Sequence, residues 1–248
     1  MRIKTSILIA LIFLWGFPAA ASEGKLLVAV AANFMAPFTE IAAAFEKESG
    51  CRVEPVFSST GKLYAQIINN APYDMFLAAD KQRPGLLFKD GLCEEPFVYA
   101  RGEIVLFSQQ SDFCARFADW TEAVRSDAVE KIAIANPETA PYGAAAVAAL
   151  KEAGLFESLQ GKYVFPQDIG QAFQYASTGS VQAGFCALSS ALTDEGKKGC
   201  YFPVKQAPQV VQAACILKRT QNREAAQKLA EFLSAQGGVM IKEKYGYR

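Results

Sequence analysis

The sequence predicts an α/β fold with mainly parallel sheets. Three observations carry that reading. Apolar runs of strand length alternate with segments of helical period from Lys25 to Ala79, and the alternation resumes after Ile104. The connections are short and marked by Asn, Ser, Gly and Pro. With 248 residues, 51% hydrophobic and 20% charged, the chain can bury one large core or two smaller ones.

Lys25–Ala31 is a continuous apolar run, the pattern of a strand buried on both faces. After Asn33, Phe34, Phe38, Ile41, Ala42 and Phe45 fall on one helical face. Pro37 sits in the first turn, where it does little harm, and Gly50 supplies the stop. Arg52–Phe57 reads as a second strand, ended by Ser58-Ser59-Thr60-Gly61. A helix through Leu63, Tyr64, Ile67 and Ile68 stops at Asn69-Asn70, and Tyr73–Ala79 is a third strand. Strand, helix, strand, helix, strand makes βαβ units. Ile104–Ser108 and Lys131–Ala135 continue the series as buried strands. Asn136–Gly143 is a turn-rich loop opening an alanine-rich helix from about Ala144 to Glu152. A helix begins at Asp168, followed by strands at Gln182–Leu188 and Val210–Leu217. Helical segments at Asn222–Ser234 and Gly238–Tyr245 close the chain.

The N-terminus carries Arg2 and Lys4, an apolar run from Ile7 to Phe17, then Ala19-Ala20-Ala21. That is the pattern of a secretory signal peptide, residues 1–21, with cleavage expected after Ala21. No other stretch is long and apolar enough to span a membrane. The mature chain is therefore expected to be soluble and exported. The whole chain has 25 basic and 25 acidic residues; losing Arg2 and Lys4 leaves 23 against 25, a net charge of −2. That balance gives no footprint for nucleic acid. Histidine is absent, which excludes Ser-His-Asp and Cys-His sites, His-ligated zinc and a His proton shuttle. The six cysteines (Cys51, Cys93, Cys114, Cys186, Cys200 and Cys215) imply disulfides in an oxidising compartment, with fifteen pairings open. With no C-x-x-C, a redox motif is not indicated.

In a parallel α/β sheet, ligands bind where strands end and helices begin. Four such junctions carry suitable residues: Asn33, Ser59-Thr60, Tyr142-Gly143 and Asp168-Ile169. Each reads singly as a helix cap. Together they would present several free N–H groups and helix dipoles to one anion, with no Lys or Arg required. Ser59-Thr60-Gly61-Lys62 is not a P-loop, because Val56 stands where the first glycine belongs and Leu63 follows the lysine.

Three blocks are diagnostic in combination: Val28-Ala29-Val30-Ala31-Ala32-Asn33-Phe34, Phe57-Ser58-Ser59-Thr60-Gly61-Lys62-Leu63-Tyr64-Ala65-Gln66-Ile67, and Ala71-Pro72-Tyr73-Asp74-Met75-Phe76-Leu77-Ala78-Ala79-Asp80. With Asn136-Pro137, Pro141-Tyr142-Gly143 and Lys244-Tyr245-Gly246-Tyr247, they resemble the periplasmic molybdate-binding proteins of ABC transporters, across essentially the whole mature chain. The resemblance implies a type II periplasmic binding fold. Two lobes, residues 22–102 with 208–248 and residues 103–207, would enclose a ligand cleft. Each lobe would be a mainly parallel sheet flanked by helices. It further implies that Asn33, Ser59 and Thr60 contact the anion from the first lobe, and that Tyr142 and Ile169 offer backbone N–H groups from the second. Many relatives place a tyrosine hydroxyl where this chain has Ala187, and Asn33 stands where serine is frequent.

The implied function is capture of molybdate or tungstate and delivery to a membrane-embedded permease. The protein would be a periplasmic monomer, with no cofactor and no catalysis. Two rivals remain: a binder of sulfate or another oxyanion on the same scaffold, and an exported enzyme using a cysteine or a carboxylate. Asp74, Asp80 and Asp168 are the candidate carboxylates; Asp74 and Asp80 flank a strand and read better as turn and capping residues, and Asp168 reads also as the N-cap of its own helix. An exported interaction module without a small ligand is a third class.

Overall fold

The computed structural model describes residues 25–248; the expected signal peptide lies outside the described residues. Among the described residues ten strands form two five-stranded sheets. The first sheet takes β1 (Leu26–Ala31), β2 (Val53–Ser58), β3 (Met75–Leu77), β4 (Phe97–Gly102) and β10 (Val210–Ile216), in the order β2-β1-β3-β10-β4. The second takes β5 (Ile104–Ser108), β6 (Ile132–Ala133), β7 (Tyr163–Val164), β8 (Ala183–Ala187) and β9 (Cys200–Pro203), in the order β7-β6-β8-β5-β9.

In each sheet four strands run one way and one is reversed: β10 in the first and β5 in the second. Both reversed strands directly follow a passage of the chain between sheets. Only Glu103 separates β4 from β5, and residues 204–209 separate β9 from β10. The mainly parallel α/β class expected from the sequence is thus found, with one antiparallel strand per sheet.

The helices are α1 (Met35–Ser49), α2 (Thr60–Ile68), α3 (Gln82–Lys89), α4 (Phe113–Arg116), α5 (Trp120–Arg125), α6 (Pro141–Glu152), α7 (Ile169–Ser177), α8 (Leu188–Ala191), α9 (Arg223–Ser234) and α10 (Gln236–Lys244). They cover both faces of the first sheet. Leu26, Val28 and Val30 pack with α1 and α9, while Ala29 packs on the opposite face with Leu63 and Ile67 of α2. Burial on both sides explains why β1 is apolar throughout. A third cluster forms the core around the second sheet.

Several elements differ from the sequence reading. Helix α6 starts at Pro141 rather than near Ala144, because proline lacks the N–H that a first helical position cannot pair anyway. Tyr142 therefore lies in a helical first turn, not in a loop. The expected strands around Tyr73–Ala79 and Lys131–Ala135 shorten to β3 and β6. Strands β4, β7 and β9 have no counterpart in the sequence reading because they are sheet edges, partly exposed along their length. Helix α3 was masked by Pro84-Gly85 near its start.

One disulfide closes, Cys114–Cys200, across 86 residues of the second-sheet region. Cys93, Cys186 and Cys215 are buried thiols, and burial pushes the Cys186 thiol far above its ordinary range. The sheets also meet at Gly102, the last residue of β4. A Cβ there would lie 1.9 Å from the Tyr142 hydroxyl and 2.9 Å from Gln212 Nε2. Glycine lets a second-sheet helix set its phenol against a first-sheet strand.

Two outcomes follow. Reducing Cys114–Cys200 releases a long loop, with an expected loss of about 2–5 kcal/mol in stability, measured as a lower midpoint of denaturant unfolding. Gly102→Ala displaces the Tyr142 phenol, at an expected cost of about 1–3 kcal/mol, read as a drop in the thermal midpoint.

Candidate functional site

The five residues expected to form the site meet. Asn33, Ser59, Thr60, Tyr142 and Ile169 line one small cavity, together with Ala31, Ala32, Ser58, Ala79, Ala140, Pro141 and Asp168. The lining comes from the ends of β1 and β2 in the first sheet and from the starts of α6 and α7 beside the second. Asn33, Ser59, Thr60, Tyr142 and Ile169 are all 3% exposed or less, so water competes poorly for their donors.

Three of the four junctions are built so that a donor remains. Ser59 caps α2, its Oγ accepting from Lys62 N at 3.4 Å, which leaves the hydroxyl proton to give. Thr60 Oγ1 accepts from Ala79 N at 3.0 Å and likewise keeps its proton. Thr60, Tyr142 and Ile169 occupy helical first turns, where backbone N–H groups have no intrahelical acceptor. Gly61, the next amide in α2, donates across the cleft to the Thr139 carbonyl at 2.8 Å. A Cβ at Gly61 would come within 2.9 Å of Thr139 Cα, so a side chain would force the two loops apart.

Among the described residues no basic side chain lines the cavity, and the single charged one is Asp168. Asp168 Oδ1 caps its own helix, accepting from Gln171 N at 3.0 Å. The other suspected carboxylates have structural work. Asp74 accepts from Leu27 N at 2.8 Å and from the Thr220 hydroxyl at 2.5 Å. Asp80 accepts from Arg83 N at 2.9 Å and pairs with the same guanidinium at 2.5 Å. Arg83 in turn donates to the Glu138 carbonyl across the cleft at 3.0 Å. Ala187 is fully buried at the end of β8 and does not line the cavity.

Behind the cavity runs a polar chain that sequence reasoning missed. Asn33 Nδ2 donates to Gln212 Oε1 at 2.7 Å and to the Tyr247 hydroxyl at 3.0 Å. Gln212 Nε2 donates to the Tyr142 hydroxyl at 3.2 Å, and the Tyr99 hydroxyl donates to Gln212 Oε1 at 2.9 Å. Ser189 Oγ donates to the Asn33 carbonyl at 2.8 Å and lies 3.0 Å from the Tyr247 hydroxyl. Burial is the first cause that pushes the Tyr99 and Tyr142 phenols well above the ordinary tyrosine range. The neighbouring Tyr247 adds to both. Burial also raises Tyr247. All three stay protonated. The one signal in the sequence was Gln212, a lone polar side chain inside the apolar run Val210–Leu217. Tyr247 sat in the closing Tyr-Gly-Tyr block without an assigned role. Ser189 and Thr139 carried no signal.

The chain matches the family of bacterial extracellular solute-binding proteins over residues 26–248. It is 39% identical over 233 residues to the molybdate-binding protein ModA of Azotobacter vinelandii, covering 92% of this chain and 91% of the relative. It is 36% identical over 240 residues to ModA of Rhodobacter capsulatus, covering 96% and 94%. The solved structure of the Azotobacter vinelandii periplasmic molybdate-binding protein superposes with a TM-score of 0.83 at 32% identity, over 90% of this chain and 98% of that one. The sulfate-binding protein SubI of Mycobacterium tuberculosis shares the fold, with a TM-score of 0.75 at 13% identity over 91% of this chain and 86% of that one. Signature, fold and relatives agree: this chain belongs to the bacterial extracellular solute-binding proteins, among their ModA-type members.

Proposed function

We propose that the protein captures molybdate or tungstate in the periplasm and delivers it to a membrane-embedded ABC permease, acting as a monomer after cleavage behind Ala21. The observation that carries the reading is the meeting of four strand-to-helix junctions from both sheets in one buried cavity without a basic side chain. The named activity of the ModA relatives supports the same ligand.

The chemistry is that of a buried dianion held by neutral donors. Burial is tolerable only when every oxygen is hydrogen-bonded. Asn33, the Ser59 and Thr60 hydroxyls and the amides of Tyr142 and Ile169 are the contacts in this reading. Hydrogen bonds to a charged acceptor contribute about 1.5–3 kcal/mol each, so several sustain tight binding. Donors without acceptors select against hydrogen phosphate, whose proton would go unpaired. Sulfate differs from molybdate mainly in bond length, so cavity size has to make that distinction.

The lobes in this reading are residues 22–102 with 208–248, and residues 103–207. An anion gripped by both favours the closed arrangement, which gives the permease a shape to recognise.

Calorimetric titration of the mature chain from Ser22, stripped of anions, tests the proposal. Molybdate and tungstate are expected to bind and to raise the thermal midpoint, with sulfate and phosphate inert. Binding of sulfate instead keeps the scaffold and sinks the specificity, and silence from all four sinks the function. Asn33→Ala and Ser59→Ala are each expected to weaken molybdate by about tenfold or more, the equivalent of one charge-assisted hydrogen bond. Asp168→Asn keeps a good helix cap and removes a like charge from the lining, so molybdate affinity is expected to rise by about fivefold. The buried phenols hold their protons to higher pH than an ordinary tyrosine, and the chain has no histidine. Affinity measured between about pH 6 and 9 is therefore expected to stay flat, falling only once those phenols ionise at more alkaline pH.

A further inference from the structure

Asn33 Oδ1 is buried and has no hydrogen-bond partner, although Asn33 is 2% exposed and lines the cavity. Its Nδ2 is used behind the cavity, by Gln212 Oε1 and the Tyr247 hydroxyl. In that arrangement the unengaged end of the amide is a carbonyl oxygen, an acceptor that repels an oxyanion without protons. The two ends of an amide have the same shape, so the same positions admit the inverse arrangement.

Inverting Asn33 alone would set its oxygen against Gln212 Oε1. Inverting both amides satisfies both side chains, at the cost of the bond in which the Tyr247 hydroxyl donates to the Asn33 carbonyl at 2.8 Å. Gln212 Nε2 then donates to Asn33 Oδ1 across the same 2.7 Å and to the Tyr99 oxygen across 2.9 Å. Tyr99 gives its own proton to the Ala78 carbonyl, 3.3 Å away. The Tyr142 hydroxyl donates to Gln212 Oε1 over 3.2 Å, and Tyr247 donates to Asn33 Oδ1 over 3.0 Å. Ser189 continues to serve the Asn33 carbonyl at 2.8 Å. The free end of Asn33 becomes an N–H donor.

Gln212 is placed for this task. It is fully buried, and the β4–β10 register shifts between Gln212 and Ala213. Gln212 pairs with Ala100 and Ala213 with Val98, which leaves Tyr99 as the extra residue of a bulge. A bulge re-aims side chains, and here the Tyr99 hydroxyl and the Gln212 amide meet.

We propose that Gln212 is a positioning residue for anion specificity: its amide and that of Asn33 turn as a coupled pair, so that Asn33 presents N–H to an unprotonated tetrahedral oxyanion. The proposal rests on the reading of the cavity as an oxyanion site.

Two variants separate orientation from packing. In Gln212→Glu, the carboxylate only accepts, and it holds Asn33 Nδ2 inward with the carbonyl toward the anion. In Gln212→Met the side chain has no polar preference. By calorimetry, molybdate and tungstate are expected to bind Gln212→Glu about tenfold or more weakly than Gln212→Met. Equal losses for both anions in the two variants would mean a packing role and overturn the proposal.

Because a buried carboxylate can unfold the chain, the wild-type protein is tested as well. In the isotopically labelled, molybdate-saturated protein, the Gln212 side-chain amide protons are expected to show NOEs to the Tyr99 ring. NOEs to the Tyr142 ring instead overturn the proposal alone, whatever the variants do. Wild-type protein that binds neither molybdate nor sulfate overturns the oxyanion reading, and the proposal with it.

Discussion

The hydrogen bonds from Asn33 through Gln212 to Tyr142, and from Asn33 through Tyr247 to Ser189, cross between the two sheets where water cannot replace them. A single such bond contributes only about 0.5–1.5 kcal/mol net, but leaving a buried partner unmade costs about 1–3 kcal/mol. The chain is therefore a geometric constraint more than a source of stability. It couples the register of β10, the start of α6, the C-terminal residues and the turn after β1. The main-chain pair of Arg101 with Arg248, at 2.7 and 3.1 Å, holds the C-terminus beside β4 and so keeps Tyr247 in place.

That constraint explains why the two passages of the chain matter to the site. Each passage ends in a reversed strand, β5 or β10, and β10 lies between β3 and β4 with Gln212 at its bulge. A strand reversed at this position delivers a side chain from the far end of the sequence to a place behind the ends of the parallel strands. The parallel strands supply the junctions in front. Donors and their supports thus come from different topological sources, and the close approaches at Gly61 and Gly102 let them meet.

The same division decides what could be read in the sequence. Asn33, Ser59, Thr60, Tyr142 and Ile169 follow strands or open helices, so local pattern and capping chemistry reach them. The βαβ alternation was equally legible, because β1 is buried on both faces and apolar throughout. The supporting residues were not. Asn33 and Gln212 are 179 positions apart, and Asn33 and Tyr247 are 214 apart; no local period links such pairs. Edge strands β4 and β9 were lost for a different reason, since they are only partly buried and show no clean apolar run or alternation. The resemblance to molybdate-binding proteins pointed to residues that line one cavity, whereas the residues behind it are joined only through the fold.

A neutral site solves one problem and creates another. Without Lys or Arg there is no counter-charge to attract every anion alike, and Asp168 in the lining adds a small repulsion that its capping role justifies. Discrimination then falls to the direction of each hydrogen bond. Hydroxyls turn freely and serve a donor or an acceptor, so Ser59 and Thr60 alone cannot reject a protonated anion. A backbone N–H has one sense only, and an amide side chain has one sense once its far end is committed. Asn33 is the single side-chain amide among the described residues of the cavity lining, and its far end meets Gln212 and Tyr247 whichever way the amide is turned. With phenols whose protons are held by burial and no histidine to change charge, that commitment does not vary across the ordinary pH range. In the proposed oxyanion site, the hydrogen-bond polarity behind the cavity is therefore as much a part of recognition as the donors in front of it.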